Sequence, residues 1–441
     1  MPKRKRWSLD RKCPHLQHVE HEQELVLNPG ICSHLTGPDG IDFYLSYDVY
    51  QPRHDLLCAE CFKNIDFSHV YVVCPECWKH AFNAHELEEC AGKPAHFKPP
   101  REHITTFDEP TMLDHVQRSD VVAMDIQSQG EHVSLWCLHH NGRVQRHDVS
   151  KPQHSSDNTF TVELPGEPLS LVLSPSGRYA CVVQTYDSLL HLYETSTGAL
   201  IKTLLRGDYH VQHSVFPAQF VMYEGRELLV CGSSWNRVNV YDPAQDCVCL
   251  TTPPVIENTN DDDDDENDGI DYFYGRLYAS PGSQWLVSSG WCWHPVGVMN
   301  AWSLPAWLEG EPRHNETHNQ DPYFLVSDDW DRIATFIEDA YFVVWGIWHD
   351  SSVIRDGVMI LDTTSWQVTK IIPLGEMTCQ ALSWTGTHLA VLDQEGKVWF
   401  IDIDSGAVVG CYDEFVVVQI YAHLMIVQHH DMLGVVRADN V

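Results

Sequence analysis

Residues 168–205 read PLSLVLSPSGRYACVVQTYDSLLHLYETSTGALIKTLL, and their pattern indicates the fold of the larger part of the chain. Short runs of β-branched and aromatic residues alternate in it with the turn-forming segments SPSG, TYDS and TSTG. Apolar runs separated by tight turns are typical of antiparallel strands joined in chain order. The stretch therefore predicts one sheet of four strands.

The end of that stretch, HLYETSTGA, recurs along the chain as VNVYDPAQD, MILDTTSWQ and WFIDIDSGA, with weaker copies VQRHDVSKP and NAWSLPAW. Each copy places an acid or an equivalent polar residue after a predicted third strand: Asp148, Glu194, Asp242, Ser303, Asp362 and Asp402. The intervals are 46, 48, 61, 59 and 40 residues, and insertions at 257–269 and 309–321 explain the two long ones. A repeat of about 40–45 residues is the length of a propeller blade.

The repeats predict a mainly β fold, a propeller of seven blades with six or eight as alternatives. The seventh sheet is assembled from FVVVQIYA, LMIVQHH and LGVVRA, with HITTF at 103–107 as its outer strand. Pairing the two ends of the region in this way would close the ring and remove exposed sheet edges. Residues 103–440 resemble a divergent WD-repeat propeller, in which most blades lack the terminal Trp-Asp and Gly-His pairs.

The first hundred residues are rich in potential zinc ligands. They contain two Cys-x2-Cys pairs, two Cys-x-His pairs and four later residues: Cys13, His15, Cys32, His34, Cys58, Cys61, Cys74, Cys77, His80, His85, Cys90 and His96. Zinc takes thiolate and imidazole in tetrahedral sets of four, and closely spaced pairs let one turn supply two ligands. The pattern predicts two or three zinc ions, structural because sets of four protein ligands leave no position open for water.

This segment resembles the ubiquitin-specific-protease-type zinc finger over residues 13–96. The resemblance implies interleaved sites in which Cys58 and Cys61 pair with His80 and His85. It also implies a second set, Cys74, Cys77, Cys90 and His96, and it leaves Cys13, His15, Cys32 and His34 as a third. The chain has no counterpart of the family's Gly-Arg-Tyr stretch and no late Cys-x2-Cys pair. We expect a small zinc-binding α+β module at 1–100 and the propeller at 101–441, joined by the proline-rich segment 92–103.

Charge limits the choice of partners. The chain has 62 acidic and 28 basic residues, a net charge of −34, which disfavours nucleic acid and favours a basic protein partner. We expect no membrane segment, because no apolar run reaches the roughly 20 residues that span a bilayer. The absence of an apolar signal and the odd number of cysteines, 15, favour a reducing, cytoplasmic location. A nuclear location through the basic stretch at 3–6 is the alternative.

Two groups of residues are candidate partner-binding positions. The acidic group is Asp261, Asp262, Asp263, Asp264 and Asp265, and the aromatic group is Trp291, Trp293 and Trp330. Both occur in the part of the chain that carries the long insertions. Aromatic anchors with an acidic rim have the composition of an interaction site for a cationic protein.

These features favour a non-catalytic interaction protein with no predicted catalytic residue. One specific form is an inhibitor or immunity protein that captures a cationic toxin. Two alternatives stay open: a reader of ubiquitin-like C-terminal tails through the zinc module, and a metalloenzyme. Propellers host enzymes as well as binding proteins, so the fold alone does not decide between them.

Overall fold

The computed structural model describes residues 107–438 apart from gaps, together with the backbones of five strands before residue 107. The gaps lie at 108, 131, 152–158, 165, 167, 253–271, 293–295, 310–322, 328–329, 348–354 and 376. The chain divides into two compact units. One comprises Met1–Lys98, Gly346–Gly357 and Pro373–Glu376, and the other comprises Pro99–Trp345, Val358–Ile372 and Met377–Val441.

The first unit contains one five-stranded sheet. Its strands are β1 (Lys5–Arg6), β2 (Gly30–Cys32), β3 (Phe43–Asp48), β4 (Gln51–Cys58) and β5 (Val70–Val72). Their order in the sheet is β1-β5-β2-β4-β3. Strand β2 runs parallel to β4 and antiparallel to β5. The other residues of the predicted α+β zinc module lie outside the described residues, so its helical part and its zinc ions remain predictions.

The second unit contains seven four-stranded sheets, which confirm the predicted seven-bladed propeller. Blade 1 has β7 (Val121–Gln129), β8 (His132–His139), β9 (Arg143–Asp148) and β10 (Thr159–Thr161). Blade 2 has β11 (Leu169–Leu173), β12 (Tyr179–Gln184), β13 (Leu189–Glu194) and β14 (Ala199–Leu205). Blade 3 has β15 (Ala218–Tyr223), β16 (Arg226–Ser234), β17 (Arg237–Asp242) and β18 (Cys247–Thr252).

The remaining blades have the same plan. Blade 4 has β19 (Phe273–Ala279), β20 (Trp285–Cys292), β21 (Val296–Ser303) and β22 (Tyr323–Ser327), with helix α1 (Leu304–Leu308) directly after β21. Blade 5 has β23 (Ala334–Ile337), β24 (Tyr341–Ile347), β25 (Arg355–Asp362) and β26 (Gln367–Gly375). Blade 6 has β27 (Ala381–Trp384), β28 (Leu389–Leu392), β29 (Val398–Ile401) and β30 (Val408–Tyr412). Blade 7 has β31 (Val416–Tyr421), β32 (Leu424–His429), β33 (Met432–Arg437) and β6 (Thr111–Gln117).

Alternating strand directions give the propeller two distinct faces. First strands of successive blades lie against each other from β7 to β31, so the first strand of each blade is innermost. Turns between second and third strands and connections between blades therefore share one face, which we call the top face. It includes the connection 206–217, the turn 235–236 and residues 330–333. The other turns lie at the bottom face.

Closure of the ring depends on pairing between the two ends of the propeller sequence. Strand β6 pairs antiparallel with β33, with Leu113 opposite Leu433 and Thr111 opposite Val435. The predicted mode of closure is therefore confirmed. The predicted segment, 103–107, is wrong: the outer strand of blade 7 begins at Thr111, and Phe107 instead packs its ring 4.7 Å from that of Tyr412 in blade 6.

The apolar core lies between neighbouring blades. One buried cluster joins Leu113 and Leu433 of blade 7 to Ile126 and Leu135 of blade 1, and further clusters join blades 1 and 2, 2 and 3, and 6 and 7. Central strands such as β8 are buried on both sides because each sheet packs against two others. This explains their continuous apolar runs.

The six repeated polar residues end their blades' third strands or follow them directly, as the repeat predicts. The carboxylates of Asp242, Asp362 and Asp402 each accept two backbone N–H groups of the turn that follows. Side chains of this type stabilise tight turns by replacing a backbone acceptor. Hydrogen bonds from the Thr364 hydroxyl and the Ser365 N–H lower the pKa of Asp362, and the hydrogen bond from the Ser405 N–H lowers that of Asp402. The repeated acid therefore marks a tight turn, which its carboxylate stabilises by local hydrogen bonds.

Replacing Leu113 by alanine tests the closing strand. Leu113 is fully buried, so L113A should lower the free energy of unfolding by about 2–5 kcal/mol, measured by urea denaturation. The matched control L200A alters an exposed leucine of β14 and should change it by about 0.5 kcal/mol or less. Equal effects of the two substitutions would contradict the packing of β6 into blade 7.

Candidate functional site

Two predicted zinc ligands, Cys32 and Cys58, are the last residues of neighbouring strands. Strands β2 and β4 are parallel, with Ile31 opposite Leu56, so both strands end at the same edge of the sheet. Strand β5 runs the opposite way and ends at Val72, two residues before Cys74. The chain therefore leaves the sheet toward Cys58 and Cys61 at one end of the strands. It leaves toward Cys74 and Cys77 at the opposite end. The other ten predicted ligands lie outside the described residues.

The structure brings together two of the predicted partner-binding residues. Trp291 is near the end of β20 and Trp330 is in the connection from blade 4 to blade 5, and their rings stack with centroids 5.1 Å apart at 11°. Trp293 and the acidic run Asp261–Asp265 lie outside the described residues. Whether these residues bind a partner remains a prediction.

Trp291 and Trp330 belong to a longer series of rings, which we call the aromatic stack: Tyr209, Phe273, Trp291 and Trp330. The Phe273 and Trp291 rings are 3.9 Å apart at 4°, and the Tyr209 ring lies 5.9 Å from Phe273 at 17°. The two inner rings are buried, with 1% and 3% exposure, whereas Tyr209 is 47% and Trp330 38% exposed. The stack thus has a buried centre and two exposed ends at the top face.

Three further rings border the aromatic stack. Trp235, in the turn between β16 and β17, lies 4.5 Å from Phe273 and 5.4 Å from Tyr209. His213 meets both Trp291 and Trp330 edge-on, at 6.3 and 6.2 Å. His210 lies edge-on to Tyr209 at 4.5 Å. Offset-stacked and edge-to-face pairs are the favoured aromatic geometries, so these contacts fix the relative positions of several loops.

The connection 206–217 is held by a single buried guanidinium. All five N–H donors of Arg206 are engaged, with backbone carbonyls of Asp187, Val211, Ser214 and Val215 and with the Ser214 hydroxyl, at 2.8–3.2 Å. Burial lowers the pKa of Arg206 to about 10, so the group stays charged at neutral pH. Fork-shaped donation from one guanidinium pre-organises the loop that carries Tyr209 and His213.

The connection from blade 4 to blade 5 is anchored through Asp331, the neighbour of Trp330. Burial raises the pKa of this carboxyl group, against the lowering effects of nearby Arg276, a hydrogen bond from the Val215 N–H and the charge of Arg206. Asp331 adopts a left-handed backbone conformation, with φ of 51°. The contact with Val215 links the two connections that supply the exposed ends of the stack.

The buried centre of the stack depends on two glycines of blade 4. Phe273 lies opposite Trp291 in the β19–β20 pairing, and a bulge follows before Arg276. A Cβ atom on Gly290 would overlap the Phe273 carbonyl oxygen and lie 2.6 Å from the Tyr272 ring. A Cβ atom on Gly275 would overlap the Ser289 carbonyl oxygen. Only glycine permits this close approach of the two strands.

Outside the aromatic stack, several ionisable groups with shifted pKa values are buried in the core or hydrogen-bonded to the backbone. Desolvation raises the pKa of Asp125 on β7 to about 7, against hydrogen bonds from the N–H groups of Leu173 and Ile126. The Leu173 contact joins blade 1 to blade 2. Burial raises the pKa of Cys137 and Cys231 to about 12, so these thiols remain protonated at neutral pH. A protonated, buried thiol is a poor nucleophile.

Comparison with known proteins gives no family assignment: the chain matches no protein-family model and no curated protein sequence. In the part of the chain that the structure describes, no helix has the length and apolar character needed to cross a bilayer. The described residues also contain no group of three or more His, Cys, Asp or Glu side chains arranged for a metal ion. Within the described propeller, the aromatic stack combines a buried, closely packed centre with exposed aromatic surface.

Most residues of the aromatic stack and its border could not be recognised from the sequence. Composition singled out Trp291 and Trp330, but Tyr209, His213 and Phe273 lie in segments that read as ordinary strand or turn. The available signal was the segment DYHVQH at 208–213, which places three ring-bearing residues in a connection between blades. Aromatic residues in a predicted connection are more informative than tryptophans in predicted strands, which the core also uses.

A G290A substitution tests the packing of the stack. The added methyl group would push β19 away from β20, so near-UV circular dichroism should lose aromatic signal and the free energy of unfolding should fall by about 1–3 kcal/mol. The matched control is G434A, whose Cβ atom would meet the movable sulfur of Met112 at 2.6 Å. We expect a smaller loss for G434A and an unchanged near-UV spectrum. A near-UV spectrum of G290A identical to that of the parent protein would contradict the described strand approach.

Proposed function

We propose that the chain is a non-catalytic protein-interaction protein whose propeller binds a partner with a basic surface. A propeller fold is commonly an interaction scaffold, and the top face of this one carries the exposed side chains of Tyr209 and Trp330. The observation that carries the proposal is the aromatic stack, with Tyr209 and Trp330 exposed and the inner rings buried. Rigid aromatic side chains held by buried neighbours are typical anchors of protein interfaces.

Charge supports a basic partner. The acidic run Asp261–Asp265 lies in sequence between the end of β18 and the start of β19, and both of these strand ends are at the top face. Phe273, the first residue of β19, is itself part of the aromatic stack. With a net charge of −34, the chain would attract cationic proteins and repel nucleic-acid backbones.

The specific form we propose is an inhibitor or immunity protein that neutralises a cationic toxin by covering its basic surface. An acidic inhibitor associates rapidly because long-range attraction steers the encounter. The top face, with its rigid aromatic stack, would then supply the short-range contacts. General scaffolding of a basic protein would use the same face and the same forces.

We also propose that the first unit is held by two or three structural zinc ions. The parallel strands β2 and β4 end on one side of the sheet, which supports neighbouring sites there, one with Cys32 and one with Cys58, and the opposite exit of β5 supports a further site for Cys74 and Cys77. Zinc binding would supply folding free energy that this small segment cannot obtain from apolar burial.

Removing residues 257–269 tests the electrostatic part of the proposal. Association of a fluorescent oligo-lysine peptide with the variant should be slower and less dependent on salt, because eight carboxylates are lost. The control deletes residues 310–320, which lie in sequence between α1 and β22, and the start of β22 is at the bottom face. Unchanged association rates in the 257–269 deletion would exclude steering by the acidic run.

Metal analysis tests the zinc proposal. The purified chain should contain two or three zinc ions, and C58S and C74S should each reduce the zinc content by about one ion. C249S, which alters an exposed thiol of β18, is the control and should leave the zinc content unchanged. A chain free of transition metal, with its early cysteines oxidised to one another, would refute the proposal.

A further inference from the structure

Cys247 and Cys249 form a pair of thiols on β18, the outer strand of blade 3. Cys249 is exposed and Cys247 is half-buried, and a hydrogen bond joins the two side chains. The other described cysteines are buried or half-buried. Side chains two residues apart in a strand lie on the same side of the sheet, and here their sulfur atoms are in contact. The fold thus holds two thiols together at the surface.

A bulge in the pairing of β18 with β17 favours this contact. The register shifts by one residue after Val248, and Cys249 is the extra residue, with no residue opposite it on β17. In a flat strand, Cα atoms two residues apart are separated by about 6.6 Å, close to the upper limit of about 6.8 Å for a disulfide. A bulge bends its strand and shortens this separation. The two sulfur atoms are therefore within reach of a covalent bond.

Nearby groups affect the reactivity of the exposed thiol. Desolvation raises the pKa of the Cys249 thiol, and the hydrogen bond with Cys247 and the charge of Asp242 raise it further. The charge of Arg226, which pairs with Asp242 at 3.4 Å, acts in the opposite direction. Because the thiolate is the reacting form of cysteine, oxidation of the pair should be slow at neutral pH and faster at higher pH.

We propose that Cys247 and Cys249 form a reversible redox site that is oxidised by low-molecular-weight disulfides such as glutathione disulfide. The Cys249 thiolate attacks one sulfur of the small disulfide, whose S–S bond breaks, and its other half leaves as a thiolate and takes up a proton. The Cys247 thiolate then attacks the Cys249 sulfur and displaces the second half in the same way. The two cysteines lose two electrons in all, and the small disulfide is reduced to two thiols. An excess of small thiol reverses both steps.

A disulfide suits this pair better than a metal ion does. Two thiols supply half of the four ligands that zinc takes in a structural site, whereas they are the complete set for an intramolecular disulfide. Disulfides in a reducing compartment are usually transient and redox-sensing, which fits an exposed pair that small thiols can reduce. The proposal adds a modification site on the outer strand of blade 3, apart from the partner-binding function.

Peptide mapping of the intact chain tests the proposal. Cleavage after Arg237 and Arg276 releases peptide 238–276, which contains Cys247 and Cys249 and no other cysteine. The folded chain is incubated with mixtures of reduced glutathione and glutathione disulfide, alkylated, and digested without reduction. As the share of glutathione disulfide rises, mass spectrometry should show the doubly alkylated peptide replaced by a peptide lighter than the free dithiol by two hydrogen atoms. An excess of reduced glutathione should restore the doubly alkylated form.

Two single-thiol variants separate closure of the disulfide from simple modification of a surface cysteine. C247S keeps the exposed thiol but removes the one that displaces glutathione, so its peptide should accumulate one glutathionyl group. C249S keeps the half-buried thiol and should react more slowly than C247S. Urea denaturation of each variant checks that the propeller remains folded.

The same incubation in urea measures what the fold contributes. At equal glutathione ratios, the ratio of disulfide to dithiol should be at least about 3-fold lower in the unfolded chain, because it does not hold the two thiols in contact. Equal ratios in the folded and unfolded chains would contradict a site built by the bulge of β18. A folded chain whose peptide stays doubly alkylated in excess glutathione disulfide, or accumulates glutathione without closing the disulfide, would overturn the proposal.

Discussion

Antiparallel pairing between β6 and β33 closes the ring of seven blades. It joins residues more than 300 positions apart in sequence, with Leu113 opposite Leu433, and gives blade 7 its fourth strand. An open array of seven sheets would leave polar backbone edges and apolar faces exposed at both ends. Bringing such distant segments together costs chain entropy, which the buried cluster shared by blades 7 and 1 helps to offset. Closure therefore fixes the positions at which the blade connections meet.

The aromatic stack follows from that geometry. Its rings come from the connection after blade 2, from two strands of blade 4 and from the connection after blade 4, so a single sheet could not build it. Arg206 rigidifies one connection, and the contact between Asp331 and Val215 ties it to the other. The result is a rigid surface with two exposed aromatic ends, which favours recognition. The buried protonated thiols and the backbone-bonded Asp125 stabilise the fold of the described propeller.

The sequence predicted those features that have local physical causes. Turn-forming acids such as Asp242, Asp362 and Asp402 bond to the N–H groups two or three residues ahead, and their spacing therefore revealed the blades. The position of strand β6 was predicted wrongly because its partner strand, β33, is distant in the sequence. A bulge also interrupts the pairing between Leu113 and Gln117, and this hides the alternation of the side chains of β6. Only two of the four residues of the aromatic stack were predicted from the sequence. Trp291 and Trp330 stand out by composition, whereas Tyr209 and Phe273 acquire their meaning from the meeting of four separate segments.

Hydrogen–deuterium exchange of the segment 111–117 in the intact chain tests ring closure most directly. If β6 is the outer strand of blade 7, its paired amides should exchange on the same slow timescale as those of β32 and β33 in the same blade. Exchange of 111–117 as fast as that of an exposed turn such as 385–388, while β32 stays protected, would contradict closure by the two ends of the propeller sequence.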